Sequence, residues 1–152
     1  MFPVKRILCP VDFSEPSLLA LQTAVEIAQQ NSAELLLVHV VQPVQPVAAP
    51  GVPAGYAIQD YYEERTAAAH KSFEQITAKN ASEGVALRTK VLRGQAADEI
   101  VREAESEKVD IIVIATHGWT GWRRLIFGSV AEKVVRLSSC PVLTIPKPEK
   151  NQ

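Results

Sequence analysis

The strongest constraint on the fold comes from short apolar runs in which hydrophobic residues follow one another without polar alternation. The clearest runs occupy residues 35–41 and 111–115. A strand with one wet face alternates apolar and polar side chains, whereas a strand buried on both faces is apolar throughout, as in parallel sheets. The sequence therefore predicts a parallel sheet with buried central strands.

Three further strands are predicted at residues 4–10, 85–92 and 142–145. Between successive strands, apolar residues recur at the spacing of a helix. The run at 85–92 alternates apolar and polar residues, which is typical of an edge strand. The helices are predicted at residues 15–30, 58–79, 97–104 and 129–137, with Ser14 as an N-cap of the first. The order β-α-β-α-β-α-β-α-β predicts an α/β domain with an open, twisted parallel sheet and helices on both faces.

The chain of 152 residues is long enough for one domain with a substantial core, which we place at residues 1–147, followed by a polar tail at 148–152. A surface loop is expected at residues 42–56, because four prolines and two glycines between 42 and 55 exclude a helix or a central strand. A loop of this length is a mobile flap, a partner contact or a disordered segment, and we expect disorder.

Composition and charge argue against several classes of protein. A net charge of -1 without a basic stripe argues against nucleic-acid binding. No apolar run reaches the roughly 18 residues of a membrane span, and the first residues lack the apolar core of a signal peptide. Cys9 and Cys140 have no metal-ligand spacing, so we expect buried, reduced thiols in a cytoplasmic protein and no metal site.

An anion site is predicted within residues 109–130. The fourth strand leads into Thr116, His117 and Gly118, and the next helix begins near Gly128-Ser129. Helix N-termini present free N–H groups and a favourable dipole to a phosphate, and glycine allows its close approach. The spacing matches neither a P-loop nor the dinucleotide-binding glycine fingerprint.

Asp12 follows the first strand and offers a second wall for such a site. Ligands of open parallel sheets bind at the carboxyl ends of strands, where the strand order reverses. If the order is 3-2-1-4-5, Asp12 would face the Gly118 loop, and its carboxylate would accept from a ribose hydroxyl or a base. Alternatively, Asp12 makes local backbone bonds at the helix start.

Five segments together make the chain similar to the universal stress protein family. They are PVDFSE at 10–15, LVHV at 37–40, THG at 116–118, GSVAEKV at 128–134 and CPVL at 140–143. The resemblance covers almost the whole chain and implies a Rossmann-like five-stranded sheet in the order 3-2-1-4-5. It also implies a homodimer in which the last strands pair across the axis, here through Val142, Leu143, Thr144 and Ile145.

Members of the family that bind ATP carry Gly-x-x-Gly, nine further residues, and then Gly-Ser or Gly-Thr. In this sequence the second glycine is Gly118 and the last pair is Gly128-Ser129, but Ala115 occupies the position of the first glycine. A positive φ there would strain alanine by roughly 1 kcal/mol, whereas a strand conformation adds only local crowding. We expect the strand conformation and retained binding of ATP or another adenine nucleotide, with Mg²⁺.

The resemblance implies that Asp12 meets the ribose or adenine, that the backbones at Val11 and Val40 frame the base, and that the two glycine segments hold the phosphates. Ser129 is alternatively the N-cap of its helix, and His117 either donates to a phosphate or holds its own loop. The implied nucleotide-binding residues are Pro10, Val11, Asp12, Val40, Ile114, Ala115, His117, Gly118, Gly128, Ser129 and Val130.

The loop after Gly118 carries four large side chains, each with two alternative roles. Trp119 and Trp122 cover the nucleotide or form a dimer contact, and Arg123 and Arg124 reach a triphosphate or stay solvated. His39 is expected to be a hydrogen-bonded core histidine, and His70 to be exposed.

The sequence shows no catalytic constellation, so we do not expect an enzyme. The function implied is an ATP-binding, dimeric sensor or regulator of a stress response. The alternatives are a protein-interaction module of the same fold without a nucleotide, and a slow ATP hydrolase.

Overall fold

The structure is a computed structural model that describes residues 2–44, 50–51, 53–80, 83–117 and 127–148. Its strands are β1 (Arg6–Pro10), β2 (Glu34–Val41), β3 (Ala86–Arg93), β4 (Ile111–Ala115) and β5 (Val142–Ile145). Its helices are α1 (Glu15–Asn31), α2 (Ala54–Asn80), α3 (Ala96–Ser106) and α4 (Ser129–Leu137). The strands form one parallel sheet in the order β3-β2-β1-β4-β5, which confirms the predicted topology.

The sheet lies between two layers of helices, because successive side chains of the central strands point to opposite faces. Ile7 and Cys9 of β1 belong to a buried cluster with α1 and with Phe73 of α2. Leu8, between them, belongs to a second cluster with α3 and α4. The unbroken apolar runs in β1, β2 and β4 therefore serve two cores at once. The edge strand β3 has no fully buried residue, as its alternating pattern predicted.

Helix α1 begins and ends at well-defined caps. Ser14 is its N-cap, as predicted, and the hydroxyl of Ser14 accepts from the amide of Ser17 at 3.4 Å. At the other end Ser32 adopts a left-handed conformation with φ of 50°, and its amide bonds back to carbonyls of the last turn. The N-cap at Ser14 fixes the turn between β1 and α1, which is one wall of the site described below.

Helix α2 begins at Ala54, so the expected loop at 42–56 and the expected helix start at residue 58 are both corrected here. Pro53 stands directly before the helix and Gly55 lies in its first turn. The N–H groups of a first turn have no intrahelical acceptor, so proline and glycine near a helix start cost little. Residues 45–49 and 52 of the expected loop, and 149–152 of the expected tail, lie outside the described residues.

None of the helices in the described part of the chain has the length and apolar character that a membrane span requires.

Candidate functional site

A cavity of about 330 Å³ opens at the carboxyl ends of β1, β2 and β4, beside the start of α4. The sheet order reverses between β1 and β4, and this is where open parallel sheets bind their ligands. Its lining residues are Pro10, Val11, Asp12, Ser17, Val38, His39, Val40, Gln42, Ala96, Ile100, Ile114, Ala115, Thr116, His117, Gly128, Ser129, Val130 and Ala131.

The predicted site residues come together in this one cavity, except Gly118, which lies outside the described residues together with Trp119, Trp122, Arg123 and Arg124. The sequence reasoning missed several lining positions. Ser17 lies in the first turn of α1, and Ala96 and Ile100 lie in the first half of α3. Ala96 precedes the predicted helix at 97–104, and helical spacing marked Ile100 only as a helix residue. A helix start that follows a strand end was the signal that would have identified them.

Asp12 serves the local structure and the cavity together. Its Oδ1 accepts from the amide of Ser14 at 3.0 Å and from the hydroxyl of Ser14. Its own amide donates to the hydroxyl of Ser17 at 3.3 Å. The alternative prediction of local helix-start bonding is therefore confirmed, and these bonds fix the carboxylate of Asp12 on the cavity wall.

Phe13 has a φ of 64°, in the left-handed region that costs a bulky residue roughly 1 kcal/mol or more. Its ring packs 4.8 Å from the ring of His39 and 5.3 Å from the ring of Phe73, centroid to centroid. Because of this turn, Asp12 lines the cavity while the next residue enters the core between the sheet and α2. The packing of Phe13 compensates for the backbone conformation.

His39 holds the turn after β1 through its ring. Its Nδ1 lies 2.8 Å from the carbonyl oxygen of Val11, and because a carbonyl only accepts, Nδ1 carries the proton. The prediction of a hydrogen-bonded histidine is confirmed, although the side chain is half-buried rather than fully enclosed. The amide of Val11 donates to the carbonyl of Val38 at 2.8 Å, so both backbone polar groups of Val11 are bonded within the protein.

The start of α4 forms the opposite wall. Gly128 is the N-cap: its amide donates to the carbonyl of Thr116 at 2.6 Å, and its carbonyl accepts from the amide of Glu132 at 3.0 Å. The alternative prediction of Ser129 as the N-cap is wrong, because the first intrahelical bond closes on the carbonyl of Gly128. The amides of Ser129, Val130 and Ala131 are left in the first turn, where a helix offers no acceptor, and all three residues line the cavity.

Ala115 ends β4 as a strand residue paired with Ile145, and it is not among the described residues with positive φ. The expected strand conformation at Ala115 is therefore confirmed. Beyond it, the amide of Thr116 donates to the carbonyl of Ile145 at 3.0 Å, and the hydroxyl of Thr116 lies 2.9 Å from Nδ1 of His117. This contact orients the imidazole of His117 at the cavity edge.

The two cysteines differ in burial. Cys9 is buried as expected, and burial raises the pKa of its thiol from 9.0 to about 12. Cys140, at the far end of α4, is a free thiol that is half-buried rather than buried as expected, and His70 is exposed as expected. Across the described ranges, no three His, Cys, Asp or Glu side chains are grouped as metal ligands. The cavity therefore presents backbone hydrogen-bond donors on one wall and a carboxylate on the other.

Comparison with known proteins agrees with this architecture over nearly the whole chain. A model of the universal stress protein family matches residues 3–146. Universal stress protein MJ0531 of Methanocaldococcus jannaschii is 39% identical over 146 residues, which cover 96% of this chain and 84% of that protein.

Two solved structures share the fold. Protein MJ0577 of Methanocaldococcus jannaschii superposes with a TM-score of 0.86 at 28% identity, covering 97% of this chain and 99% of that one. A universal stress protein from Archaeoglobus fulgidus in complex with dAMP superposes with a TM-score of 0.62 at 21% identity, covering 95% and 99%. With the strand order, the cavity and the family match in agreement, the chain belongs to the universal stress protein family.

Proposed function

We propose that the cavity binds an adenine nucleotide, with ATP and Mg²⁺ as the leading ligand, and that the protein is a homodimeric, cytoplasmic regulator in a stress response. The observation that carries this proposal is the open first turn of α4, at Ser129 to Ala131, facing the wall that holds Asp12. Backbone donors at one end and a carboxylate at the other complement the phosphates and the hydroxyls of a nucleotide.

The phosphate end is the start of α4. The amides of Ser129, Val130 and Ala131 and the exposed hydroxyl of Ser129 supply donors, and the helix dipole favours the negative charge. Gly128 lines the cavity beside these donors, and as a glycine it allows a phosphate to approach closely. Its own amide donates to Thr116, which holds the turn against β4 so that the next three residues face the cavity.

The end of the cavity that would hold the base is formed by the last residues of β2, which extend past the end of β1. The carbonyl of Val38 faces β1 and accepts from Val11, and peptide groups on a strand repeat their direction every second residue. The peptide groups of Val40 therefore face the same side, past Pro10, where β1 ends. An adenine edge carries a donor and an acceptor and can pair there as a neighbouring strand would.

Asp12 is placed to meet the sugar between these two ends. Its side chain lines the cavity, and an ionised carboxylate accepts hydrogen bonds from hydroxyl groups such as those of a ribose. The Archaeoglobus fulgidus relative with dAMP shares only the fold at its level of identity, and it supports testing adenine nucleotides before others.

The homodimer is proposed to form through β5. In the described sheet β5 is an edge strand with β4 as its neighbour, and Leu143 is 37% exposed. An unpaired strand edge is a template for pairing with a second chain. Pairing would involve Val142, Leu143, Thr144 and Ile145.

A second candidate is an interaction module of the same fold without a nucleotide. Ala115 favours it, because the methyl group stands in the cavity where ATP-binding members of the family carry glycine.

Calorimetric titration with ATP and Mg²⁺ separates the two candidates. The wild type should bind, and the double variant Gly128→Val, Ser129→Val should not, while light scattering gives the dimer mass for both. Ser139→Val, a matched change at the opposite end of α4, should bind as the wild type does. Binding that survives the double variant contradicts the phosphate site, and absence of binding by the wild type favours the interaction module.

A further inference from the structure

A second concavity lies between α1 and α2, on the side of the sheet away from α3 and α4. It has a volume of about 1010 Å³. On both helices its lining residues recur at steps of three and four, so one face of each helix forms one wall. The wall from Glu15 to Gln29 on α1 is about 21 Å long at 1.5 Å per residue, which matches about four turns of a helix. We name this surface the α1/α2 groove.

The floor of the groove is apolar. Leu21 and Val25 lie buried at its base, and Ile76 of α2 is half-buried opposite them. Leu18 is 41% exposed, although it points along the same wall. A leucine left this open on a helix face leaves apolar surface available for a partner.

At each end of the groove, a residue that flanks one helix contacts the other helix. At one end the ring of Phe13 packs against the ring of Phe73. At the other end the side-chain amide of Gln29 donates to the backbone carbonyl and to the carboxylate of Glu83, both at 3.2 Å. These contacts fix the separation of the walls, so a ligand would enter a preformed groove.

The rim of the groove is acidic. Its charged residues are Glu15, Glu26 and Glu83 against a single cation, Lys79. Neither Glu15 nor Glu26 forms an ion pair with any of the described residues, whereas Glu34, Glu103 and Glu107 elsewhere are paired with arginine or lysine.

We propose that the α1/α2 groove docks an amphipathic helix of a partner protein that carries a stripe of large aliphatic side chains flanked by lysine or arginine. The aliphatic stripe would cover Leu18 and Ile76, and the flanking cations would face Glu15 and Glu26. This is the helix-in-groove mode of recognition. A second copy of this chain is a poorer occupant, because two acidic α1 faces repel each other.

The direct test uses a fluorescent synthetic peptide of about 16 residues, long enough to span the groove, with leucines at helical spacing and lysines on the flanks. Fluorescence anisotropy at low salt should show saturable binding that weakens as salt is raised. A peptide with glutamate in place of every lysine should not bind. Equal binding of the two peptides would overturn the proposal.

Matched variants locate the binding surface. Leu18→Ser should weaken binding about tenfold, and Glu15→Lys with Glu26→Lys about tenfold or more. Two control variants change similar side chains outside the groove. Val44→Ser replaces an apolar side chain that is 40% exposed, close to the exposure of Leu18, and Glu64→Lys reverses an exposed charge on α2. Both should bind the peptide as the wild type does.

Amide chemical shifts give a readout that does not depend on the variants. On addition of the lysine peptide they should move at α1 and α2. Shift changes confined to other elements, or equal affinity of the groove and control variants, would overturn the proposal. Sedimentation would also overturn the proposal if the chain alone self-associated and the Leu18→Ser variant did not.

Discussion

The amide of Gly128 donates to the carbonyl of Thr116 over 2.6 Å and so ties the start of α4 to the residue after β4. The same carbonyl would lie 3.0 Å from a Cβ added at Gly128. Thr116 is itself fixed, because its amide donates to Ile145. The first-turn amides of Ser129, Val130 and Ala131 therefore keep their position relative to the strand ends through one close backbone contact.

Replacement of Gly128 by alanine should lower the free energy of unfolding by about 1 kcal/mol or more, since the added methyl meets a backbone oxygen that cannot move away. The φ of -56° at Gly128 suits any residue, so the change tests the contact alone. The matched control is Gly55→Ala in α2, where an added Cβ has no neighbour within 4 Å and stability should rise by roughly 0.5 kcal/mol. Urea denaturation measures the free energy of unfolding of both variants. A Gly128→Ala variant as stable as the wild type would contradict the close contact between Gly128 and the carbonyl of Thr116.

Asp12→Asn separates the two roles of Asp12. Asparagine keeps the Oδ1 acceptor for Ser14, so stability should change by less than about 0.5 kcal/mol, whereas the loss of charge should weaken ATP binding about tenfold. Asp12→Ala should in addition cost about 1–2 kcal/mol, because the amide of Ser14 loses its acceptor. Calorimetric titration measures the affinity for ATP. If Asp12→Asn binds ATP as tightly as the wild type does, the carboxylate does not contact the ligand.

Ala115→Gly restores the glycine found in ATP-binding members of the family. Because Ala115 is a strand residue paired with Ile145, glycine should destabilise the fold by about 0.5–1 kcal/mol and change the ATP affinity less than about threefold. Thermal unfolding and titration give the two quantities. A large gain in affinity would instead show that the methyl group obstructs the nucleotide.

The two cysteines should differ in reactivity. At pH 8 an alkylating reagent should modify Cys140 in the native protein and Cys9 only after denaturation, because the raised pKa of Cys9 suppresses its thiolate and burial excludes the reagent. Mass spectrometry of the alkylated peptides checks this. Rapid modification of Cys9 in the native state would contradict the closed core at β1.

The same raised pKa has a consequence for stability. A thiol that ionises near 9.0 when unfolded and near 12 when folded stabilises the native state fully below pH 9.0, and this contribution is lost as the pH rises toward 12. The stability difference between the wild type and Cys9→Val should therefore shift against the wild type in alkaline solution, as measured by urea denaturation across that range. A difference that is constant with pH would show that Cys9 ionises freely.

Much of this architecture was predictable because it follows from local patterns. Unbroken apolar runs identified β2 and β4, and Ser14 identified the start of α1. The part of the site formed by strand ends and by the start of α4 was also predictable, because the topology of the sheet brings these segments to one edge.

The details that were missed depend on contacts between distant segments. The N-cap falls at Gly128 rather than at Ser129 because the amide of Gly128 bonds to Thr116, which no pattern around residue 128 reveals. Likewise, the bond between the ring of His39 and the carbonyl of Val11 joins two residues that are 28 positions apart. The left-handed turn at Phe13 is stabilised by Phe73, another long-range partner.

Whether the cavity holds an adenine nucleotide is tested most directly by mass spectrometry of the small molecules released from the protein purified from cells. We expect ATP or another adenine nucleotide at a stoichiometry approaching one per chain, and its loss from the double variant Gly128→Val, Ser129→Val. Wild-type protein that releases no adenine nucleotide, and takes up none when incubated with millimolar ATP and Mg²⁺, would contradict this expectation.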